Sequence, residues 1–303
     1  MTSMHETSPV PTPAGWSRRV TLACPVEGCR RPLLREGGGL RCARAHTFDL
    51  ARSGYVNLLQ PRDRRSARPG DAPAALAARS RLLARGVETA VTEAVRALVA
   101  VDSDGAVLDV GCGAGDFVAA LADRSGVEGH GLDLAVRAID AAARRHPALH
   151  WVVANADRAL PYADGSFSLL TSINARRNPA EFRRVLRDGG VLLLVVPAPD
   201  DLVELRERVL GEGIARDRVP AAIAEFEPLF ALERHERIRH TARLDAAAAR
   251  DAMAGSYRAG RASRRGRLEA LPDLEVTLSR DALVLRARDR AGGDAVASRR
   301  RPR

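Results

Sequence analysis

A chain of 303 residues with 46% apolar side chains can bury the core of one large domain, or of a large and a small one. Its formal charge of +10 comes with the basic runs PRDRRSAR, GRASRRGR and SRRRPR; these point to a polyanionic partner more than to an acidic small molecule, although each run alone reads equally well as a solvated loop. No apolar stretch approaches the roughly 18 residues that span a bilayer, and the polar start MTSMHETSPVPTPAGW lacks the apolar centre of a secretion signal, so the expectation is a cytoplasmic protein with no membrane partner.

Residues 1–19 read as a loose tail and 20–60 as a small metal-binding domain. Four residues separate Cys24 from Cys29, twelve separate Cys29 from Cys42, and three separate Cys42 from His46. Two close pairs flanking a hairpin-sized insert, with the turn REGGGL between them, bring four ligands to one tetrahedral point. A reducing compartment favours zinc over disulfides, and four protein ligands close the site, which makes the Zn2+ structural. Metal binding would then supply the folding energy of a segment too short to bury its own core. The alternative is three unpaired cysteines and a surface histidine.

Residues 61–105 follow as a helical linker: a basic, Pro/Gly-punctuated RDRRSARPGD, then Leu76, Leu82, Leu83, Val87 and Val91 at helical intervals, which predict two helices. From Ala106 the elements alternate: strand AVLDV, helix DFVAALADRS, strand GHGLDL, helix AVRAIDAAARRH, strand HWVVANA, strand SFSLLTSIN, helix PAEFRRVLRDGG, strand VLLLVVP. Such alternation predicts an α/β fold with a parallel, doubly wound sheet and a ligand crevice at the carboxyl ends of its strands. A helix at DDLVELRERVL, a strand near LERHERIRHTARL, a short helix at DAAAARDAMA and a strand at DALVLRAR complete a core over 106–288, and a basic tail fills 289–303.

VLDVGCGAGD sets Asp109 at a strand end and Gly111, Gly113 and Gly115 in a turn that opens a helix, where only glycine turns sharply enough and lets a ligand lie close. The third glycine comes one residue earlier than in G-x-G-x-x-G, and no P-loop Lys-Ser/Thr follows. Asp133 ends the next strand, where its carboxylate can accept from both ribose hydroxyls. The combination resembles the class I S-adenosylmethionine-dependent methyltransferases. That resemblance implies a Rossmann-like sheet, a Gly111 to Gly115 loop around the methionine part of the cofactor, Asp133 on its ribose, and Asn155, Ala156 and Asp157 bordering the adenine. Cys112 reads as a small buried filler rather than a nucleophile.

The run C…C…C…HTFDLARSGYVNLL, followed by RPGD and AARSRLLARG, looks like the N-terminal portion of the 23S rRNA (guanine-N1)-methyltransferases. The likeness continues through LPYADGSFS, EFRRVLRDGG and PAPDDLVELR over nearly the whole chain, with His46, Phe48, Asp49, Gly54, Tyr55, Asn57 and Leu58 matching the most specific motif. It implies S-adenosylmethionine and structural Zn2+ as cofactors and 23S rRNA as partner. It also implies a hairpin guanine near the peptide exit tunnel as target, macrolide (tylosin-type) resistance as one role of its members, and two subunits clasping one RNA. The chain departs from the family in its first cysteine spacing, where two residues are usual. It departs again at INARRNP, where Asn174 and Arg176 replace an aromatic followed by Ala-Pro, and at MAGSYR, where Met253, Tyr257 and Arg258 match approximately.

Guanine N1 lies on the Watson–Crick edge, so the target must be unpaired or flipped. Asn174 is then the candidate for the guanine edge and Arg176 or Arg177 for charge developing on O6, while the general base stays open between water and Asp157. Arg30, Arg31, Arg41 and Arg44 around the metal ligands would grip phosphates. Tyr55 reads as interdomain packing before base stacking. Two rival readings share the sequence: methyl transfer to a small natural product, and a non-catalytic RNA-binding protein.

Overall fold

A computed structural model of the chain describes residues 16–63, 73–211, 213–256, 267 and 271–290. Most of the basic linker, Tyr257 and Arg258, nearly all of GRASRRGR and most of both tails lie outside the described residues.

Three short antiparallel strands open the fold: β1 (Leu33–Glu36), β2 (Gly39–Cys42) and β3 (Thr47–Asp49). Glu36 pairs with Gly39, so Gly37 and Gly38 alone make the hairpin turn, Gly37 at φ 58°. The buried Val20, Leu22, Leu33 and Leu40 of this segment form no separate core. They join Leu160, Tyr162, Phe182 and Phe226 in one cluster. Backbone pairing fixes the contact, Ala23 N donating to Pro161 O and Ala163 N to Thr21 O, both at 3.0 Å.

Eight strands make the main sheet: β4 (Val56–Asn57), β5 (Ala106–Val110), β6 (Glu128–Asp133), β7 (His150–Val153), β8 (Phe167–Ile173), β9 (Leu186–Pro197), β10 (Phe230–Leu244) and β11 (Leu274–Ala287). Their order is β10-β11-β9-β8-β5-β6-β7-β4, so the winding reverses between β5 and β8 and opens the crevice there. The sequence reading of a parallel sheet needs correction: the sheet is mixed, because β11 runs antiparallel to both β9 and β10. After β10 the chain is already at the carboxyl end of the sheet. The helix that follows, α8 (Ala246–Ser256), stays there on α1 (Pro73–Ala84) through the Arg81–Asp251 ion pair and Arg79 donating to Gly255 O. The last strand can therefore enter the slot beside β9 only by running back.

The other helices are α2 (Thr89–Arg96), α3 (Asp116–Ser125), α4 (Val136–Arg145), α5 (Pro179–Val185), α6 (Val203–Leu210) and α7 (Val219–Phe226). Helix α5 is shorter than PAEFRRVLRDGG suggests. Leu186 turns extended (ψ 139°), and RDGG becomes a bulged part of β9, across which the β8 register jumps from Leu186 to Val191. The buried Arg183 holds that bulge, donating to Asp188, to Leu186 O at 3.2 Å and to Arg288 O at 2.6 Å. Among the described residues no helix is long and apolar enough to cross a membrane.

Candidate functional site

The four metal ligands converge. Cys24 Sγ and Cys42 Sγ each lie 3.4 Å from His46 Nδ1, Cys29 Sγ lies 3.8 Å from Cys42 Sγ, and all four ligand atoms are within 4.8 Å of one another. A zinc ion about 2.0–2.3 Å from each atom of a tetrahedron sets those edges at roughly 3.5–3.8 Å, so the residues fit a closed Cys3His zinc site. Two tight turns present them: Cys24 N donates to Arg31 O and Cys29 N to Val26 O in the first, Cys42 N to His46 O in the second. The long first spacing is absorbed by two left-handed residues, Gly28 at φ 69° and Arg30 at φ 47°. Without metal, burial pushes the Cys24 thiol up to about 12; the Cys42 thiol, also raised by burial, is brought down to about 7 by the backbone N–H groups of His46 and Arg44. Loading the site therefore releases protons. Arg30, Arg31, Arg41 and Arg44 are all exposed around it.

The glycine turn leaves β5 for α3. Gly111, Gly113 and Gly115 all have positive φ, at 77°, 54° and 82°. Their reasons differ. A Cβ on Gly111 would stand 2.4 Å from Cβ of Ala175, one on Gly115 would stand 2.2 Å from the Trp151 indole, and one on Gly113 would meet nothing within 4 Å. Open space at Gly113 is what a ligand lying against the turn requires. Below the turn, the Asp133 carboxylate accepts from Gly113 N at 3.0 Å and from Ala135 N at 2.8 Å, which fixes it at the foot of the glycine turn. These features fit S-adenosylmethionine. Cys112 is no nucleophile, since burial, with the nearby Asp133 and Asp109 carboxylates, pushes its thiol well up.

Asp109 is buried and accepts from Thr171 Oγ1 at 2.7 Å. Burial pushes its carboxyl up to about 7 despite that hydrogen bond, and the charge of Asp133 adds to the rise. A raised carboxyl contributes stability that is complete below its unfolded value, near 4, and disappears as pH climbs through about 7. The stability of the wild type relative to Asp109→Asn is therefore expected to fall by up to about 4 kcal/mol between about pH 4 and 7. Urea unfolding of the cofactor-free protein across that range measures it, and a difference flat with pH would mean that Asp109 titrates normally.

Strand β7 ends at Val153, earlier than HWVVANA suggests, because Asn155 Oδ1 accepts from Asp157 N at 3.0 Å and turns the chain. Asn155 and Ala156 are buried and Asp157 is exposed. Asp157 forms an ion pair with Arg176, which brings the loop after β7 against the exit of β8. At that exit, Asn174 is exposed at φ 53°, a conformation asparagine tolerates. Arg177 pairs instead with Glu225 of α7 at 3.2 Å. Tyr55 is half-buried against the core on the α3 and α4 side, as the packing reading has it, and Met253 is buried in the same core.

Three participants escape the sequence reading. Trp151 sits under Gly115, Thr171 hydrogen-bonds Asp109, and Asn178 does two jobs: its Oδ1 accepts from Glu181 N as the cap of α5, and its Nδ2 donates to the carbonyls of Ala156 and Arg158. Only the cap is visible locally, as Asn before Pro179.

Residues 22–67 match the family model of the RlmA N-terminal zinc ribbon, and residues 107–190 match the methyltransferase domain model. The chain is 39% identical over 230 residues to the 23S rRNA (guanine(748)-N(1))-methyltransferase of Streptomyces fradiae, covering 74% of this chain and 80% of that one. It is 38% identical over 233 residues to a Micromonospora griseorubida protein bearing the name 23S rRNA (guanine-N(1)-)-methyltransferase, covering 68% and 77%. A chain from the complex of the Haloferax volcanii Trm112 methyltransferase activator with a methyltransferase superposes with a TM-score of 0.50 at 18% identity, covering 72% and 97%, which speaks for the fold alone. The cofactor is S-adenosylmethionine, and the ribbon carries a structural zinc ion. With the likeness running through ribbon and sheet alike, the chain belongs to the 23S rRNA (guanine-N1)-methyltransferase family.

Proposed function

We propose that this enzyme methylates N1 of a guanine in a hairpin loop of 23S rRNA near the peptide exit tunnel, working in the cytoplasm as two subunits on one RNA, and that the mark protects the ribosome from tylosin-type macrolides. The observation that carries the reading is likeness across both the ribbon and the catalytic sheet to an enzyme named for guanine N1. In this reading residues 20–60 recognise RNA through Arg30, Arg31, Arg41 and Arg44, residues 61–288 perform the transfer, and 1–19 and 289–303 are tails.

Bound S-adenosylmethionine supplies an electrophilic methyl group. The Gly111 to Gly115 turn, Asp109 beneath it, Asp133, and Asn155, Ala156 and Asp157 would hold the cofactor. The Watson–Crick edge of guanine offers one acceptor, O6, beside two donors, N1–H and N2–H. Asp157 and Arg176, already paired across the crevice, present the complementary set. The carboxylate would accept from N1–H and take its proton as N1 gains the methyl group and the methyl–sulfur bond breaks, its electron pair leaving on the neutral thioether sulfur, and the guanidinium would answer the charge that develops on O6 as the proton departs. Asn174 offers an amide to the same edge.

The test is methylation of 23S rRNA stripped of its modifications, using radiolabelled cofactor and primer extension. N1 methylation blocks pairing, so a single stop at a hairpin guanine is expected. At saturating cofactor, Asp157→Asn should lower kcat about 10²-fold, over and above any loss of cofactor affinity that calorimetry reads separately. Label without a stop would mean another atom, and cofactor binding with no label in rRNA would mean a small-molecule acceptor.

A further inference from the structure

Among the described residues, one group of ligating side chains besides the ribbon converges closely enough to hold a metal: Glu128, His130 and His150, whose ligand atoms lie within 4.8 Å of one another. The sheet builds the group. Glu128 and His130 are two residues apart on β6 and share a face, and His130 pairs in register with His150 on the parallel neighbour β7. We infer that these three residues form a second site for a divalent transition-metal ion of the zinc class, structural in role and separate from the ribbon.

Glu128 Oε1 lies 2.9 Å from His130 Nε2 and 4.0 Å from His150 Nε2. Those two distances bracket the roughly 3.3 Å between donor atoms around a tetrahedral ion held at about 2.0–2.1 Å, and the two imidazole donors lie within 4.8 Å, so side-chain adjustment without backbone rearrangement would seat one. Two imidazoles and one carboxylate are a ligand set that such an ion binds, with a fourth position left for water.

The carboxylate is itself held. Ser17 Oγ donates to Oε1 and Arg18 N to Oε2 at 3.3 Å, as outer partners that orient a metal ligand do. Glu128 and His150 keep about a sixth and a fifth of their side-chain surface open, so an ion can reach them. The group stands at the amino end of β6, about 16 Å along the strand from Asp133 at its carboxyl end, too far to touch methyl transfer. What it can do is pin residues 16–19, just where the chain enters the ribbon, to the sheet.

Cobalt titration of the metal-free full chain tests this. The ribbon should give thiolate-to-cobalt charge transfer, and a further equivalent should add ligand-field bands with no charge transfer. Glu128→Gln and His150→Ala should each remove the further equivalent and keep the ribbon signal, which also shows that the variants fold. Saturation at the ribbon equivalent, or a further equivalent that survives both substitutions, would overturn the inference.

Discussion

Cys42→Ser is expected to abolish RNA methylation, by at least about 10³-fold, while cofactor affinity changes less than about 3-fold below the melting point. The two effects separate because they belong to different parts of the chain. Cys42 is one of four ligands in a closed site, and its loss leaves three around the ion. The ribbon strands β1 to β3 bury few side chains of their own, and apparent zinc binding in such small folds is worth about 10–16 kcal/mol, so without the ion the hairpin turns have little to hold them. The exposed arginines around the ligands then lose their arrangement, and with it the grip on phosphates proposed for them. The crevice between β5 and β8 keeps its own glycine turn, Asp133 and Asn178 contacts. Some destabilisation of the sheet must follow, since Leu22, Leu33 and Leu40 leave the cluster that holds Tyr162 and Phe182. Calorimetry with the cofactor, a melting curve and the methylation assay on one preparation read the three quantities. A Cys42→Ser protein that methylates like the wild type would show that the ribbon does not place the RNA.

The parts of this site that are legible in the sequence are those whose cause is local. A metal site replaces a core with a few spaced ligands, so Cys24, Cys29, Cys42 and His46 can be read from spacing alone. Gly111, Gly113 and Gly115 are legible because the turn demands positive φ. The hidden parts depend on what is distant in the chain. Nothing near Gly115 announces Trp151, which faces it from the next strand but one, and nothing near Arg176 announces Asp157. Strand β4 is two residues long and exists only because β7 offers it an edge. The direction of β11 is likewise set by where α8 leaves the chain, and no local alternation of strand and helix encodes that.

Gly115→Ala should cost about 2–5 kcal/mol, of a total near 5–15, and take cofactor binding with it. The left-handed backbone at φ 82° accounts for about 1–2 kcal/mol once a Cβ is present. The rest, about 1–3 kcal/mol, is steric, because the new atom would stand 2.2 Å from Cη2 and 2.6 Å from Cζ3 of Trp151. The indole has nowhere to go. It is 1% exposed, its Nε1 donates to His146 O at 2.9 Å, and a Cβ on Gly131 would also fall 2.3 Å from Cζ3. Two glycines thus make room for one ring, and the turn that opens α3 rests on it. Denaturant unfolding should therefore show Trp151→Leu relieving the steric part of Gly115→Ala, a coupling of about 1–3 kcal/mol between the two positions, while the backbone part remains. Gly113→Ala is the control: its φ is 54° but a Cβ there meets nothing within 4 Å, so only the backbone part, about 1–2 kcal/mol, applies. If Gly115→Ala proved no worse than Gly113→Ala, Trp151 would not be the prop that sets the height of the cofactor turn.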